Sequence, residues 1–421
     1  MNDSPALLLA RQPIYDASLE VCAFELLFRT SSQEHANVID GDMASSRVLL
    51  HAFAGDGLRR ITGGKPALIN FTSHLIINPP PLDPAQLIIE VLEHIEPSET
   101  VLQSLQTLKA QGFSIALDDF VYRPELEPLI ELADIIKLDV LELGLVGLRQ
   151  QVRLLRNYPV KLLAEKIEDW NTFNECTDLG CALFQGYFLS RPQAVHGQEA
   201  QIAGNTLTQI KYELLNENTD INRLGDAIKL DPLLSYQLIK LVNSVLYRPA
   251  LPIETLPRAI HYLGLEKVRG WLLLLTFSKT SDKPRELTRM TLARARMCAL
   301  LGTAAQQQAD RCFTMGVLST LDAYLNLPMA EALTGSALSP EMFSALVDGD
   351  GQLGTLLRTA IDFERGLFEK LDWTQLEAMG CDQRTIESAY LDSLEWSQLT
   401  LQALSLAPPA MHPTGGDQTA S

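Results

Sequence analysis

Phe113-Ser114-Ile115-Ala116-Leu117-Asp118-Asp119-Phe120 is a short apolar run that stops abruptly at two adjacent carboxylates. Its length and apolar character read as a strand buried on both faces. A carboxylate taken out of water without a partner is costly, so two at one strand end require cations, hydrogen-bond donors or water. At the C-terminal edge of a parallel sheet, such a pair suits a divalent metal. An isolated Asp-Asp is more often a solvated turn, so the other strands decide.

Outward from this stretch, further strand candidates are Leu7–Ala10, Val21–Phe28, Ala67–Phe71, Gln86–Val91, Ile135–Leu138, Val160–Ala164 and Ala182–Phe184. Helical segments intervene, such as Ser98–Gln111, whose Val101, Leu102, Leu105 and Leu108 share a face. Eight strands alternating with helices over about 190 residues predict a TIM-like β/α barrel. A doubly wound open sheet is the competing fold, weakened by the absence of G-x-G-x-x-G after the first strand.

The strand ends share a chemistry. Glu25, Leu27 and Arg29 alternate along one face, and Asn70 ends the third strand. Glu90 and Glu93 close the fourth, Asp118 and Asp119 the fifth, and Lys137 and Asp139 the sixth. Glu165 and Glu168 close the seventh, and Gln185-Gly186-Tyr187 follows the eighth. Any one of these alone is an ordinary solvated residue. Carboxylates and an amide converging on one barrel mouth are the donor set of a hard cation, Mg²⁺ or Mn²⁺.

Composition sets the bounds. The chain has 421 residues and a formal net charge of −18, so it lacks the basic excess that binding a nucleic-acid backbone requires. Its six cysteines are scattered with no C-x-x-C pair, which fits reduced thiols of a cytoplasmic protein. The N-terminus has no basic start of a signal peptide, and the longest apolar run, around Trp271–Thr276, is too short to span a bilayer. The expectation is a soluble cytoplasmic protein with no membrane partner.

Over residues 1–195 the sequence resembles the EAL family of cyclic di-GMP phosphodiesterases. The matching pieces are Gln12-Pro13-Ile14, Glu25-Leu26-Leu27-Phe28-Arg29, Asn70, Glu90-x-x-Glu93, Asp118-Asp119-Phe120, Lys137-Leu138-Asp139, Ala164-Glu165-x-x-Glu168 and Gln185-Gly186-Tyr187. The resemblance implies a metal-dependent hydrolase that opens the cyclic dinucleotide to linear pGpG. It implies metal ligands at Glu25, Asn70, Glu90, Asp118 and Asp119, with Glu165 among the catalytic groups. It also implies that Lys137 positions the attacking water, that Gln185 orders the site and that Glu93 and Glu168 support it. Gln12, Leu27 and Arg29 would then contact the substrate. Two departures stand out: Leu26 replaces the signature alanine, and the glycine-rich loop after Asp119 is replaced by Phe120-Val121-Tyr122-Arg123-Pro124-Glu125. The altered loop implies catalysis that is weak, conditional or absent.

After a polar linker at 196–205 the pattern turns helical from 206 to 400, and a small, polar, Pro-containing tail at 401–421 reads as disordered. Asp231-Pro232 reads as a helix start, with Asp231 as N-cap. The motifs Asp231-Pro232-Leu233-Leu234-Ser235, Leu241-Val242-Asn243-Ser244 and Ala259-Ile260-His261-Tyr262-Leu263-Gly264 resemble the HDOD domain, a helical relative of HD phosphohydrolases. No His-Asp dipeptide occurs in the chain, so the metal chemistry of those enzymes is not expected, and Asn243 and Ser244 read as turn-binding residues. An EAL-like barrel joined to HDOD gives two readings: a phosphodiesterase regulated by the helical domain, or a non-catalytic scaffold that binds cyclic di-GMP or proteins. A protein partner for the helical domain and a homodimer accompany both.

Overall fold

The computed structural model describes residues 7–30, 57–191, 214–216, 219, 220, 223, 224, 228, 232–244, 246–280, 283–336 and 338–405, with backbone only at 7, 29, 30, 232, 233, 277–280 and 405. Eight strands close a barrel in sequence order: β1 (Leu7–Asp16), β2 (Val21–Thr30), β3 (Ala67–Phe71), β4 (Leu87–Val91), β5 (Ser114–Leu117), β6 (Ile135–Asp139), β7 (Lys161–Ile167) and β8 (Leu183–Gly186). The open-sheet alternative is thereby excluded.

One feature departs from an all-parallel barrel. β1 runs antiparallel to both β2 and β8, whereas β2 to β8 are mutually parallel. The cause is local. Only Ala17–Glu20 separates β1 from β2, and a parallel crossover needs about a dozen residues. The chain reverses instead, with the Asp16 carboxylate accepting from the Ser18 N–H at 2.8 Å and the Glu20 N–H at 3.1 Å.

Helices cover the barrel: α1 (Gly57–Thr62), α2 (Ser73–Ile77), α3 (Glu99–Ala110), α4 (Glu127–Ile130), α5 (Val140–Leu155) and α6 (Trp170–Leu179). α3 starts where the Ser98 hydroxyl accepts from the Val101 N–H, and it buries Val101, Leu105 and Leu108 on the expected face. Inside the barrel, Ile14, Ala23, Leu68, Ala116, Ile135, Leu163 and Leu183 form an apolar floor, with Ile88 packed against it. Two residues from each of these, on the same strand face, stand Gln12, Glu25, Asn70, Asp118, Lys137, Glu165, Gln185 and, beside Ile88, Glu90. The polar layer is therefore the next storey of the same barrel interior.

The second half is helical among the described residues: α7 (Pro232–Val242), α8 (Leu256–Leu263), α9 (Leu265–Thr280), α10 (Arg285–Ala304), α11 (Ala309–Leu318), α12 (Leu321–Leu325), α13 (Met329–Ala332), α14 (Pro340–Val347), α15 (Gly351–Glu364), α16 (Trp373–Ala378) and α17 (Gln383–Ser405). α17 runs five residues past the expected boundary at 400, because Ala389, Tyr390 and Leu394 anchor it in the helical core. The linker 196–205, Asp231 and residues 406–421 lie outside the described residues. Asn243 clamps a loop: its amide donates to the Ile253 carbonyl at 2.7 Å, and its side-chain oxygen accepts from the Ile253 N–H at 2.8 Å. The helical core also takes in Leu8 and Ala10 of β1, with Leu27 of β2 packed against it. These residues continue the inward-facing rows of Gln12 and Glu25 beyond the barrel, so the helical half lies against the rim of the mouth.

Candidate active site

Lys137 is 2% exposed and stands at the centre of the polar layer. Its ammonium lies 3.4 Å from Glu25 Oε1, 2.7 Å from Asp118 Oδ1 and 2.8 Å from Glu165 Oε1, and it also contacts Glu90. Four carboxylates thus share one cation. Burial pushes Glu90 well above the usual carboxylate range, with Glu25 and Asp118 adding repulsion against the pull of Lys137. Burial likewise raises Glu165 to about 8, although Lys137 opposes it. For Lys137 itself, burial favours the neutral amine, but Glu25, Glu90, Glu165 and Asp118 outweigh it and hold the proton firmly. The negative charge exceeds what one ammonium balances.

The unsatisfied atoms carry the same message. Asn70 Oδ1, Glu90 Oε2, Asp119 Oδ1 and Gln185 Oε1 are buried with no hydrogen-bond partner, and all four are acceptors. Asp118, Asp119 and Glu165 present ligand atoms within 4.8 Å of one another. Across the sheet, Asn70 and Glu90 are register partners on β3 and β4. Asp118 thus stands both beside Asp119 and Glu165 and, through Lys137, beside Glu25 and Glu90. Oxygen ligands in excess of charge compensation fit a hard divalent cation.

Backbone irregularities aim these groups. β7 bulges between Ala164 and Ile167, with Lys166 at φ 57°. Glu165 faces inward two residues after Leu163, and in the bulge Lys166 reaches Asp139. Asp139 is otherwise engaged: its Oδ1 caps α5 by accepting from the Leu141 and Glu142 N–H groups at 2.8 and 3.0 Å. Gly186 faces the bulge, and a Cβ there would lie 2.0 Å from the Ile167 carbonyl oxygen. Asp119 itself has φ 39°, a strained conformation for a non-glycine residue. After it the loop is pinned: the Phe120 N–H donates to the Lys137 carbonyl and the Tyr122 N–H to Gln151 Oε1 at 2.8 Å. Arg123 is extended ahead of Pro124, as a residue before proline prefers.

A hydrogen-bond chain leads out of the site. Gln185 Nε2 donates to Glu25 Oε2 at 2.5 Å and to Gln12 Oε1 at 2.8 Å. Gln12 Nε2 in turn donates to Tyr187 Oη at 2.6 Å and to the Arg365 carbonyl at 3.0 Å, which also accepts from the Tyr187 hydroxyl. Arg365 belongs to the turn after α15. The next residue, Gly366, presses on Leu27, since a Cβ at Gly366 would lie 2.6 Å from Leu27 Cδ1. The helical half therefore touches Glu25 through two glutamine side chains.

The structure gathers Gln12, Glu25, Asn70, Glu90, Asp118, Asp119, Lys137, Glu165 and Gln185, with Leu27 at the rim. It does not gather Glu93 or Glu168: both are exposed, and Glu93 has only His94 at 3.8 Å. Each lies past the end of its strand, where the period-two alternation that aims Glu90 and Glu165 inward no longer applies. Arg29 is on β2, and its side chain lies outside the described residues. Tyr187, Lys166 and the Arg365–Gly366 turn were not foreseen as parts of the site. Tyr187 was visible beside Gln185-Gly186, but nothing in the sequence signals the turn.

Residues 62–192 match the EAL domain family and residues 203–332 the HDOD domain family. The uncharacterized protein YuxH of Bacillus subtilis is 30% identical over 409 residues, covering 94% of this chain and 99% of its own. Cyclic di-GMP phosphodiesterase CdgJ of Vibrio cholerae is 31% identical over 402 residues, covering 93% and 92%. The chain belongs to the EAL–HDOD family. Among solved structures, an EAL domain protein from Listeria monocytogenes aligns over 44% of this chain and 88% of its own at 23% identity, with a TM-score of 0.37. BlrP1 of Klebsiella pneumoniae, in complex with manganese and cyclic di-GMP, aligns over 44% and 56% at 22% identity and 0.38. The EAL match begins at Thr62, the last residue of α1, whereas the barrel and Glu25 begin earlier, in the β1–β2 hairpin. The HDOD match ends at α13, and four more helices complete that helical core.

Proposed function

We propose that this EAL–HDOD protein is a metal-dependent phosphodiesterase that opens cyclic di-GMP to pGpG, with HDOD as its regulatory and protein-binding module. The observation that carries the reading is the ring of four carboxylates around Lys137, three buried and Asp118 half-buried, flanked by acceptor oxygens that lack partners. CdgJ, similar over nearly the whole chain, supports the substrate class.

Glu25, Asn70, Glu90, Asp118, Asp119 and Glu165 would hold Mg²⁺ or Mn²⁺. Such a cation, when bound, supplies Lewis-acid polarisation of a phosphate and a more acidic water. The chain's own groups do the rest. Lys137 aims N–H donors at the water and offsets charge gathering on the phosphate, while Gln185 fixes the orientation of Glu25. Attack forms a bond from water oxygen to phosphorus and breaks one ring phosphodiester bond, giving the linear dinucleotide. Arg29 and Leu27 would contact the substrate. Residues 1–195 would constitute the catalytic unit, and a homodimer is the proposed assembly.

A second reading is binding without turnover, favoured by the proline-led loop that replaces glycines after Asp119. Incubation of the purified protein with cyclic di-GMP and Mn²⁺, scoring binding and pGpG separately, decides between them. Product formation supports the enzyme, binding alone supports the effector, and neither would overturn the dinucleotide assignment. The net charge of −18 argues against a nucleic-acid partner, and no helix among the described residues is long and apolar enough to cross a membrane.

A further inference from the structure

A cavity of about 40 Å³ lies where β1 meets α10, α15 and α17, bordering the polar layer at Gln12 and Tyr187. Arg11, Arg289, Arg294 and Arg365 line it. Two of the four are matched. Arg294 donates to Glu364 Oε2 at 3.0 and 2.8 Å, and Arg289 grips Glu286. Among the described residues, no carboxylate stands within ion-pair distance of Arg11 or Arg365. Arg365 lies over the Tyr187 ring at 4.5 Å, and Arg11 over the Phe24 ring at 4.4 Å. Arg11 is 5% exposed, and its Nε has no hydrogen-bond acceptor; neither has Arg289 Nη1.

A guanidinium cannot shed its proton in a protein, and Glu286 and Glu364, which attract Arg11 and Arg365 without contacting them, are already held by Arg289 and Arg294, so four cations face two carboxylates here. Water can satisfy a guanidinium's N–H groups but cannot balance its charge. We propose that this cavity binds a small oxyanion of carboxylate size, held between Arg11 of the barrel and Arg289 and Arg365 of the helical domain. The volume suits about three water-sized groups, which is a carboxylate or bicarbonate. The planar fork of arginine matches such an anion. Because Arg11 precedes Gln12, and Arg365 supplies the carbonyl that Gln12 binds, the anion tightens the contact that leads to Glu25.

The test uses the full chain. Formate or bicarbonate at saturation should raise Tm by about 2–4 °C over chloride at equal ionic strength. Phosphate, which is larger, should give a smaller rise. Arg11→Met should abolish the response. In chloride its Tm should equal or exceed that of wild type, because an unmatched buried charge has gone. Where Arg11→Met does not fold, Arg365→Gln removes the other unmatched charge and should also lose the response. No oxyanion effect on wild type, with Arg11→Met less stable, would mean that water alone fills the cavity and would overturn the site. An equal response in both proteins would do the same, and a phosphate rise as large as that with formate would overturn the size assignment.

Discussion

Lys137 is both a counter-ion and a competitor. It is the one ammonium in contact with Glu25, Glu90, Asp118 and Glu165, so removing it leaves buried carboxylates uncompensated. Lys137→Met should cost ~3 kcal/mol of stability in chelator, the scale of breaking a buried pair. Mn²⁺ should restore most of that loss without restoring turnover. Thermal unfolding with EDTA and with Mn²⁺ checks the first part, and pGpG formation the second. Glu25→Gln and Asp118→Asn remove a formal charge from the site at nearly constant shape. Each should weaken Mn²⁺ binding about tenfold or more by calorimetry, in line with the sensitivity of metal sites to their ligands. Unchanged affinity in both would remove the metal assignment.

At the scale of elements, strand ends and loops set the aim of the site. Gly186 lets β8 lie against the bulge of β7, and no other residue fits beside the Ile167 carbonyl. Gly186→Ala should therefore destabilise by ~2–3 kcal/mol, measured by urea unfolding, and shift Gln185 away from Glu25. The loop after Asp119 is the opposite case. Its pinning by Gln151 and Pro124 fixes Asp119 in a strained conformation without glycine. Grafting Gly-x-Gly-x-Ser-Ser after Phe120 should raise turnover more than dinucleotide affinity, since positioning affects the reacting geometry more than ground-state binding. Equal gains in both, or none, would show that the loop does not limit the reaction.

For the whole molecule, the decisive contact is the one between the halves. The Arg365–Gly366 turn occupies the Gln12, Leu27 and Tyr187 part of the mouth's rim. Gly366 has φ 70°, so Gly366→Ala adds both backbone strain and a clash with Leu27. The turn should lift. Hydrogen exchange over 363–368 should quicken, and kcat/KM for cyclic di-GMP should rise several-fold. Faster exchange with unchanged kinetics would show that the turn does not gate the site. By linkage, the dinucleotide should loosen the same segment in the wild type.

The sequence by itself determined the barrel, because buried strands and helix faces leave distinct periods in the chain. It also determined which side chains the barrel brings together. Glu25, Asn70, Glu90, Asp118, Lys137, Glu165 and Gln185 each sit two residues beyond an apolar inward position, so alternation carries them to one layer. Glu93 and Glu168 fall past the ends of β4 and β7, where alternation no longer places a side chain, and a motif match does not register that break. The short Ala17–Glu20 link already dictated that β1 runs antiparallel, whereas only the tertiary structure decided the bulge around Lys166 and the Arg365 contact that joins the HDOD domain to Glu25. Those depend on residues as far apart as Gln12 and Arg365, and no local pattern encodes which distant backbone carbonyl will meet a given amide. Burial of the Leu8, Ala10 and Leu27 face against the helical core selects that meeting, and the hydrogen bonds follow from it.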